Sequence, residues 1–444
     1  MFAVVSYSTA GVHTTVNEIS VVDDSLYESV MRLDAETKER WEREYRQAER
    51  VSIEPGLAAE IQATEDFSIL DLLEYVPEER NQGYCPNCWA WPATGILGIA
   101  LNVQQGIRDR LSVQYINTCG EEYNLYPRIE CCEGGNINMF AAFYRATERA
   151  IPWSNRNADW HDGGLIRCNT PCDSIGKSPN YPISDIRART IDIHDLPEED
   201  VISNIKNVLH QDRGVYFSIF YPDAADLRNF NEFWSNRDTD YVYDLDYYCG
   251  HEWVPEEAAG HAVLCVGYHD DEATDSNDYW IMLNSWGVTD GRPQGLFRVD
   301  MHMNYDCQYS NYYAFGAETL NVTFKTDMEA PEAPSIAGPS SGKARTRYTY
   351  TVSAIDPQGD DVSLFVDWDD GSDSGWVGPV ASGEEIELTH WWLRKGDYTI
   401  TAQAKDIEDR ESAWSTLPVS MPYTRQTFLE RILDWLIDLL YPPT

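Results

Sequence analysis

Hydrophobic and polar positions change rhythm several times along the chain, and each change predicts an element. Residues 24 to 50 mix charges with apolar side chains at Leu26, Val30, Leu33, Trp41 and Tyr45, a mostly helical spacing among strong helix formers. After Phe67-Ser68-Ile69-Leu70-Asp71-Leu72, a second helical spacing through Trp89, Ile96, Leu97, Ile99 and Ala100 predicts a centrally buried helix. Ala262-Val263-Leu264-Cys265-Val266-Gly267-Tyr268 reads as a buried strand. Composition then shifts, and Glu329-Ala330-Pro331-Glu332-Ala333-Pro334-Ser335 and Gly338-Pro339-Ser340-Ser341-Gly342 form a linker rich in Pro, Gly and Ser. From Tyr348 to Pro418 apolar and polar residues alternate, as in Tyr348-Thr349-Tyr350-Thr351-Val352 and Tyr398-Thr399-Ile400-Thr401-Ala402, which predicts an antiparallel β-sandwich. Over 427–441, Phe428, Leu429, Ile432, Leu433, Leu436, Leu439 and Leu440 share one arc against Glu430, Arg431, Asp434 and Asp438, an amphipathic helix. The expected division is an N-terminal extension (1–66), a main domain (67–323), a linker (324–345), a small β-sandwich (346–422) and a terminal helix (423–444).

Length and charge narrow the partners. At 444 residues the chain can hold two or three units, each with its own core. Its 74 acidic and 33 basic residues leave a formal net charge of −41, so nucleic acid and anionic membranes, which demand clustered Lys and Arg, are not expected partners. The terminal helix is acidic on its polar face and is expected to dock onto protein rather than lipid. No stretch of about 18 uninterrupted apolar residues predicts a spanning helix. Met1 to Gly11 has no Lys or Arg and its apolar run, Phe2 to Val5, is short, so no signal peptide is read there.

Candidate chemistry gathers around one thiol. Asn81-Gln82-Gly83-Tyr84-Cys85-Pro86-Asn87-Cys88-Trp89-Ala90-Trp91 puts Cys88 at the start of the buried helix, where the helix dipole and a neighbouring imidazolium lower a thiol's pKa. Gly260-His261-Ala262-Val263 puts an imidazole at the start of the buried strand, and Asn284-Ser285-Trp286-Gly287 follows downstream. Gln82, Cys88, His261 and Asn284 thus supply an oxyanion donor, nucleophile, base and orienter in the order a thiol protease needs. Redox C-x-x-C motifs of the thioredoxin type place Trp before the first Cys, and a zinc site needs further paired ligands, so those readings fit less well. His251 and His269 are the nearest competitors for the base, and His269 falls at the far end of the strand.

These motifs resemble the signatures of papain-like cysteine proteases. The resemblance implies an α+β, two-lobed domain, with a central-helix lobe and a β-barrel-like lobe, that hydrolyses protein or peptide substrates through a Cys88 thioester without metal or cofactor. It assigns Gln82 and the Cys88 backbone N–H to the oxyanion, His261 to proton transfer, Asn284 to orienting the ring and Trp286 to screening that bond from water. Gly134-Gly135, after Cys132-Glu133, matches the glycine pair that hydrogen-bonds an extended substrate, and Gly260 borders the same site. It also implies that the N-terminal segment runs through the cleft in reverse and blocks it, the plainer reading being a helical extension.

With Cys88 as nucleophile and Cys265 as a buried strand thiol, eight of the ten cysteines remain, enough for four disulfides in an oxidising compartment. A secreted or cell-surface protein is expected. The resemblance supports Cys85 with Cys132, Cys119 with Cys168 or Cys172, and Cys249 with Cys307, leaving Cys131 for the remaining partner. Departures from the family pattern are Pro86-Asn87 between the first two cysteines and Trp91-Pro92 after the nucleophile, where Pro92 is expected to delete a first-turn hydrogen bond and shift the helix start. The aromatic-rich segment 221–259 is expected to border the cleft and restrict substrates, with most of its aromatics packed over the core.

Asp356-Pro357-Gln358-Gly359-Asp360, Val366-Asp367-Trp368-Asp369-Asp370-Gly371 and Gly396-Asp397-Tyr398 resemble the polycystic-kidney-disease-type immunoglobulin-like repeats appended to secreted microbial enzymes. With the terminal helix, that unit is a candidate docking surface for a partner. Asp367, Asp369 and Asp370 suit calcium, although acidic turns are usually just solvated. The competing functions are an adhesion protein with an inactive peptidase scaffold, a restricted exopeptidase and a transpeptidase.

Overall fold

The computed structural model describes residues 30–422, except 124, 272–276, 310–311, 326–328 and 408, together with 432, 433 and 435. The amphipathic helix expected over 427–441 lies outside the described residues, those three apart. Buried apolar side chains gather into two clusters, one drawn from Val30 to Phe324 and one from Tyr350 to Met421.

In the larger cluster the central helix, Ala90–Gln105, is buried at every position from Ala90 to Ile99. Gly95 eases that approach, since a Cβ there would sit 2.6 Å from Leu264 Cδ2 and push that side chain aside. Gly106 ends the helix in the left-handed region, with φ 70°. Pro92 lacks the N–H that would bond the Cys88 carbonyl four residues back, and the regular helix starts at Ala90, two residues past the thiol. As the third helical residue, Pro92 costs little, because first-turn N–H groups have no intrahelical partner anyway. Two further helices complete this lobe, Val113–Cys119 capped by Ser112 and Ile137–Thr147 capped by Asn136.

The other lobe is a sheet whose neighbouring strands run Arg149–Ala150, Tyr181–Thr190, Phe315–Phe324, Val215–Tyr221, Ala259–His269, Tyr279–Leu283, Leu296–Asp300 and Val242–Tyr243. All pair antiparallel except the last two, which are parallel. Ala259–His269 is the axis of the site. Val215–Tyr221 lies along one edge of it, while the opposite edge carries Tyr279–Leu283 from Leu264 onward and the short strand Met31–Arg32 at Gly260 and Ala259.

The helical spacing read over 24–50 is only partly helix. Asp34 accepts from the Thr37 N–H at 2.7 Å and starts the helix Ala35–Gln47, whereas Met31 and Arg32 are extended because they pair with Gly260 and Ala259. The aromatics of 221–259 are mostly core: Phe230, Phe233 and Trp234 on the helix Ala224–Asn236 pack behind Trp286 and Phe297, while Tyr241 and Tyr247 are exposed.

The smaller cluster lies between two antiparallel sheets, one of Ser335–Ala337, Tyr348–Ser353 and Ile386–His390, the other of Asp373–Val380, Val362–Asp367, Gly396–Lys405 and Ser415–Met421. Val362, Leu364 and Val366 point inward at alternate positions, as period-2 strands require. The carboxylates of Asp367, Asp369 and Asp370 accept from the backbone N–H groups of Asp369, Thr399 and Ser372, and Asp370 also meets His390. Asn180 Nδ2 donates to Asp360 Oδ1 at 2.7 Å, joining the two units.

Candidate active site

The loop carrying Gln82 and Cys88 is fastened to the loop carrying Asn284. The Gln82 N–H donates to the Ser285 carbonyl at 2.8 Å, and the Gly287 N–H to the Arg80 carbonyl at 2.9 Å. Buried Arg80 sends Nε to the Asn284 carbonyl and Nη2 to that of Trp91, each at 3.1 Å. Burial lowers its pKa to about 10, so the guanidinium remains charged at neutral pH. Gln82 accepts from the Ser285 hydroxyl at 2.6 Å and donates to the Cys85 carbonyl at 2.9 Å, which locks its amide orientation. Arg80 and Ser285 were not singled out from the sequence, although each stands beside a recognised residue.

His261 and Asn284 meet as a buried pair, with His261 Nε2 2.8 Å from Asn284 Oδ1. An amide oxygen only accepts, so Nε2 carries the proton and Nδ1 is left with its lone pair in the neutral ring. Nδ1 has no partner among the described residues. Trp286 lies over the imidazole with ring centres 4.5 Å apart. Cys88 Sγ sits 3.8 Å from the carbonyl oxygen of Gly260, the residue before His261. Burial pushes the thiol up to about 12 and the imidazole down to about 4, so both are neutral in the form described. His269 bonds Asp66 at the other end of the strand, and His251 bonds Asp226; neither joins this group.

The cause of that burial is the strap formed by Val30, Met31, Arg32 and Leu33. Val30, Met31 and Leu33 are at most 2% exposed, and the Met31 backbone amide is among those that act on the Cys88 sulfur. The Gly135 N–H donates to Met31 Sδ at 3.4 Å. A Cβ on Gly134 would stand 3.3 Å from Met31 Cβ, and one on Gly260 3.0 Å from Leu33 Cδ1, so the glycines make room for an extended chain. Gly135 is constrained from behind, where a Cβ would fall 2.5 Å from Trp89. Beyond the strap, helix Ala35–Gln47 anchors through Lys38, whose Nζ donates to the Tyr313 carbonyl at 3.1 Å and lies 3.4 Å from the Phe220 ring centre.

Disulfides join Cys85 to Cys132, Cys119 to Cys172, Cys131 to Cys168 and Cys249 to Cys307, while Cys88 and Cys265 are buried free thiols. A cavity of about 980 Å³ lies elsewhere, lined by Ala58, Glu198, Lys206 and His302 among others, and contains none of these residues.

A buried cysteine beside a histidine bonded to an asparagine amide, between a helical lobe and a sheet lobe, defines the class of thiol peptidases. The family model described as papain family cysteine protease matches residues 66–209 and 238–317, just over half of the chain, and the chain belongs to that family. Among curated relatives, a "Cathepsin L-like" protein of Caenorhabditis elegans is 27% identical over 237 residues, 52% of this chain and 58% of that one. "Cathepsin L" of Sarcophaga peregrina is 26% identical over 229 residues, 51% of this chain and 56% of that one. The chain thus spans little more than half the length of these relatives. A solved structure from work on the mite allergens Blo t 1 and Der p 1 is 21% identical, covers 58% of this chain and 70% of its own, and has a TM-score of 0.39. The PKD domain of an M14-like peptidase from a Thermoplasmatales archaeon is 44% identical and covers 21% of this chain and 98% of its own, with a TM-score of 0.21. Among the described residues no helix is long and apolar enough to cross a membrane.

Proposed function

We propose that the chain is a secreted cysteine endopeptidase made as a zymogen, with its cleft covered by the strap Val30–Leu33. The observation that carries this reading is the buried His261–Asn284 pair beside Cys88. Once the strap leaves, water and the open cleft remove much of the desolvation that keeps both groups neutral, and a proton passes from Cys88 Sγ to His261 Nδ1. The thiolate attacks the substrate carbonyl carbon, forming a C–S bond and an oxyanion that accepts from the Gln82 amide and the Cys88 N–H. Collapse breaks the C–N bond as the His261 Nδ1 proton passes to the leaving amine. Water, deprotonated by the same nitrogen, then cleaves the thioester and regenerates the thiol. Asn284 holds the ring through Nε2, and Trp286 shields that bond.

The four disulfides and the acidic composition suit an extracellular setting. Residues 346–422, with two antiparallel sheets around one core, are read as an immunoglobulin-like appendage of the polycystic-kidney-disease type, and 67–323 as the peptidase domain.

An epoxysuccinyl thiol-protease inhibitor tests the reading. After the chain is cut in the exposed segment 52–56 and freed of its strap, one adduct is expected on Cys88, absent from Cys88→Ala and accompanied by casein hydrolysis. A folded protein that has been cut, freed of its strap and still takes no label at Cys88 would refute it.

A further inference from the structure

Beside Met31 lies a cavity of about 40 Å³, with Gly135, Asn136 and Asn138 on one wall and a face of the sheet on the other. Strand register places it against the site. Glu318 pairs with Tyr216 and Gly316 with Ser218, while Ser218 pairs in turn with Ala262, the residue after His261. Gly316 and Glu318, two apart on one strand, therefore share the face that presents Ser218 and Tyr216 to the cavity. The remaining lining comes from the strap and its helix, so removing residues 30–47 opens this pocket next to Cys88.

Glu318 is the anomaly in it. The residue is 7% exposed, yet its carboxylate has no hydrogen-bond or ion-pair partner among the described residues. Lys38, in the same cavity, is taken by Glu42 at 3.6 Å and by the Tyr313 carbonyl. Arg50, which acts on Glu318 from a distance, is paired with Asp192 at 2.6 Å. A buried carboxylate without a partner is costly, and nothing in the sheet's architecture requires one at this position.

We propose that Glu318 is a specificity-determining residue, whose carboxylate receives a lysine or arginine side chain of the bound peptide once the strap has left. The inference rests on the peptidase reading and names the substrate class of that site. A cation there makes a charge-assisted hydrogen bond in a largely desolvated pocket, whereas an aliphatic side chain leaves Glu318 buried and unpaired. The pocket adjoins Gly135, so the selected residue is one held close to the scissile bond by strand-like pairing.

The experiment uses the full chain carrying a site-specific protease sequence within 52–56, cut after folding and freed of its strap. It is assayed with a peptide library scanned for Lys, Arg, Leu and Met at each position. Wild type is expected to favour Lys or Arg over Leu by about tenfold or more in kcat/KM at one position, and Glu318→Gln to lose that ratio. The wild-type ratio is measurable even if the variant fails to fold, and it should shrink as acid protonates the carboxylate. A wild type that prefers aliphatic residues at every position, or a folded Glu318→Gln with an unchanged ratio, overturns the proposal while leaving the peptidase reading intact. Failure of the cut wild type both to hydrolyse any peptide and to take label at Cys88 would remove the peptidase reading, and the subsite with it.

Discussion

Gln82 is held at both ends of its amide, by the Ser285 hydroxyl and the Cys85 carbonyl, so its orientation is set before any substrate arrives. Replacing it with Ala is expected to lower kcat by about 10²- to 10³-fold with a smaller effect on KM, read by steady-state kinetics on the cut enzyme. Glu318 governs a second residue-level outcome. In the covered form burial pushes its carboxyl up to about 8, with Glu44 adding to the shift and Arg50 opposing it. Uncovered, it returns to the ordinary carboxylate range near ~4.3. The covered form therefore holds the proton more tightly, and its advantage is complete below that range and lost as pH rises through about 8. Lys38, lowered to about 8 by burial, penalises the covered form while it is charged, and that penalty is relieved only as pH rises above about 8. His261, lowered to about 4, weakens the covered form only below the ordinary imidazole range. Between about pH 6.5 and 8, cleavage of the intact strap by an added protease should accelerate in wild type and respond less in Glu318→Gln. Superimposable profiles would contradict this assignment.

Among the elements, the strap is the one whose removal is expected to change the chemistry of the site. Truncating Met31 to Ala should cost the covered form about 2 kcal/mol or more. Alkylation of Cys88 in the uncut chain should then speed up at least about tenfold; an unchanged rate would mean that the strap does not gate the thiol. How far each element could be read from sequence depends on where its information lies. That Gln82, Cys88, His261 and Asn284 belong to one neighbourhood was legible because each sits in a short motif, and the structure brings His261 to Asn284 and Gln82 to Ser285. The alternation of Val362 to Val366 was legible because a half-buried strand writes its own period. Val30 to Leu33 was not, because its extended form comes from pairing with Gly260, far away in the chain. The start of the central helix lay between these cases: Pro92 signalled a shift, but only backbone geometry places the first turn at Ala90. Glu318 lies in a strand of ordinary appearance, and its isolation depends on which carboxylates and cations fold around it.

At the scale of the whole molecule, two separate cores predict two separable unfolding events. Trp392 is fully buried in the smaller core and donates to the Trp368 carbonyl at 2.9 Å. Trp392→Ala should destabilise that unit by about 3–5 kcal/mol. Calorimetry would then show one transition moved to lower temperature, with alkylation of Cys88 unaffected; loss of both transitions together would mean that the Asn180–Asp360 junction couples the units. The strap belongs to the same chain as the cleft it covers and is joined to it through residues 34–66. That connection confers a local concentration in roughly the millimolar range, which a free peptide substrate must exceed to compete. A single cut within 52–56 disturbs no contact between strap and cleft and abolishes only this advantage. Latency then becomes a matter of dilution: the severed strap persists as an inhibitor in a crowded compartment and disperses from the enzyme in an open one.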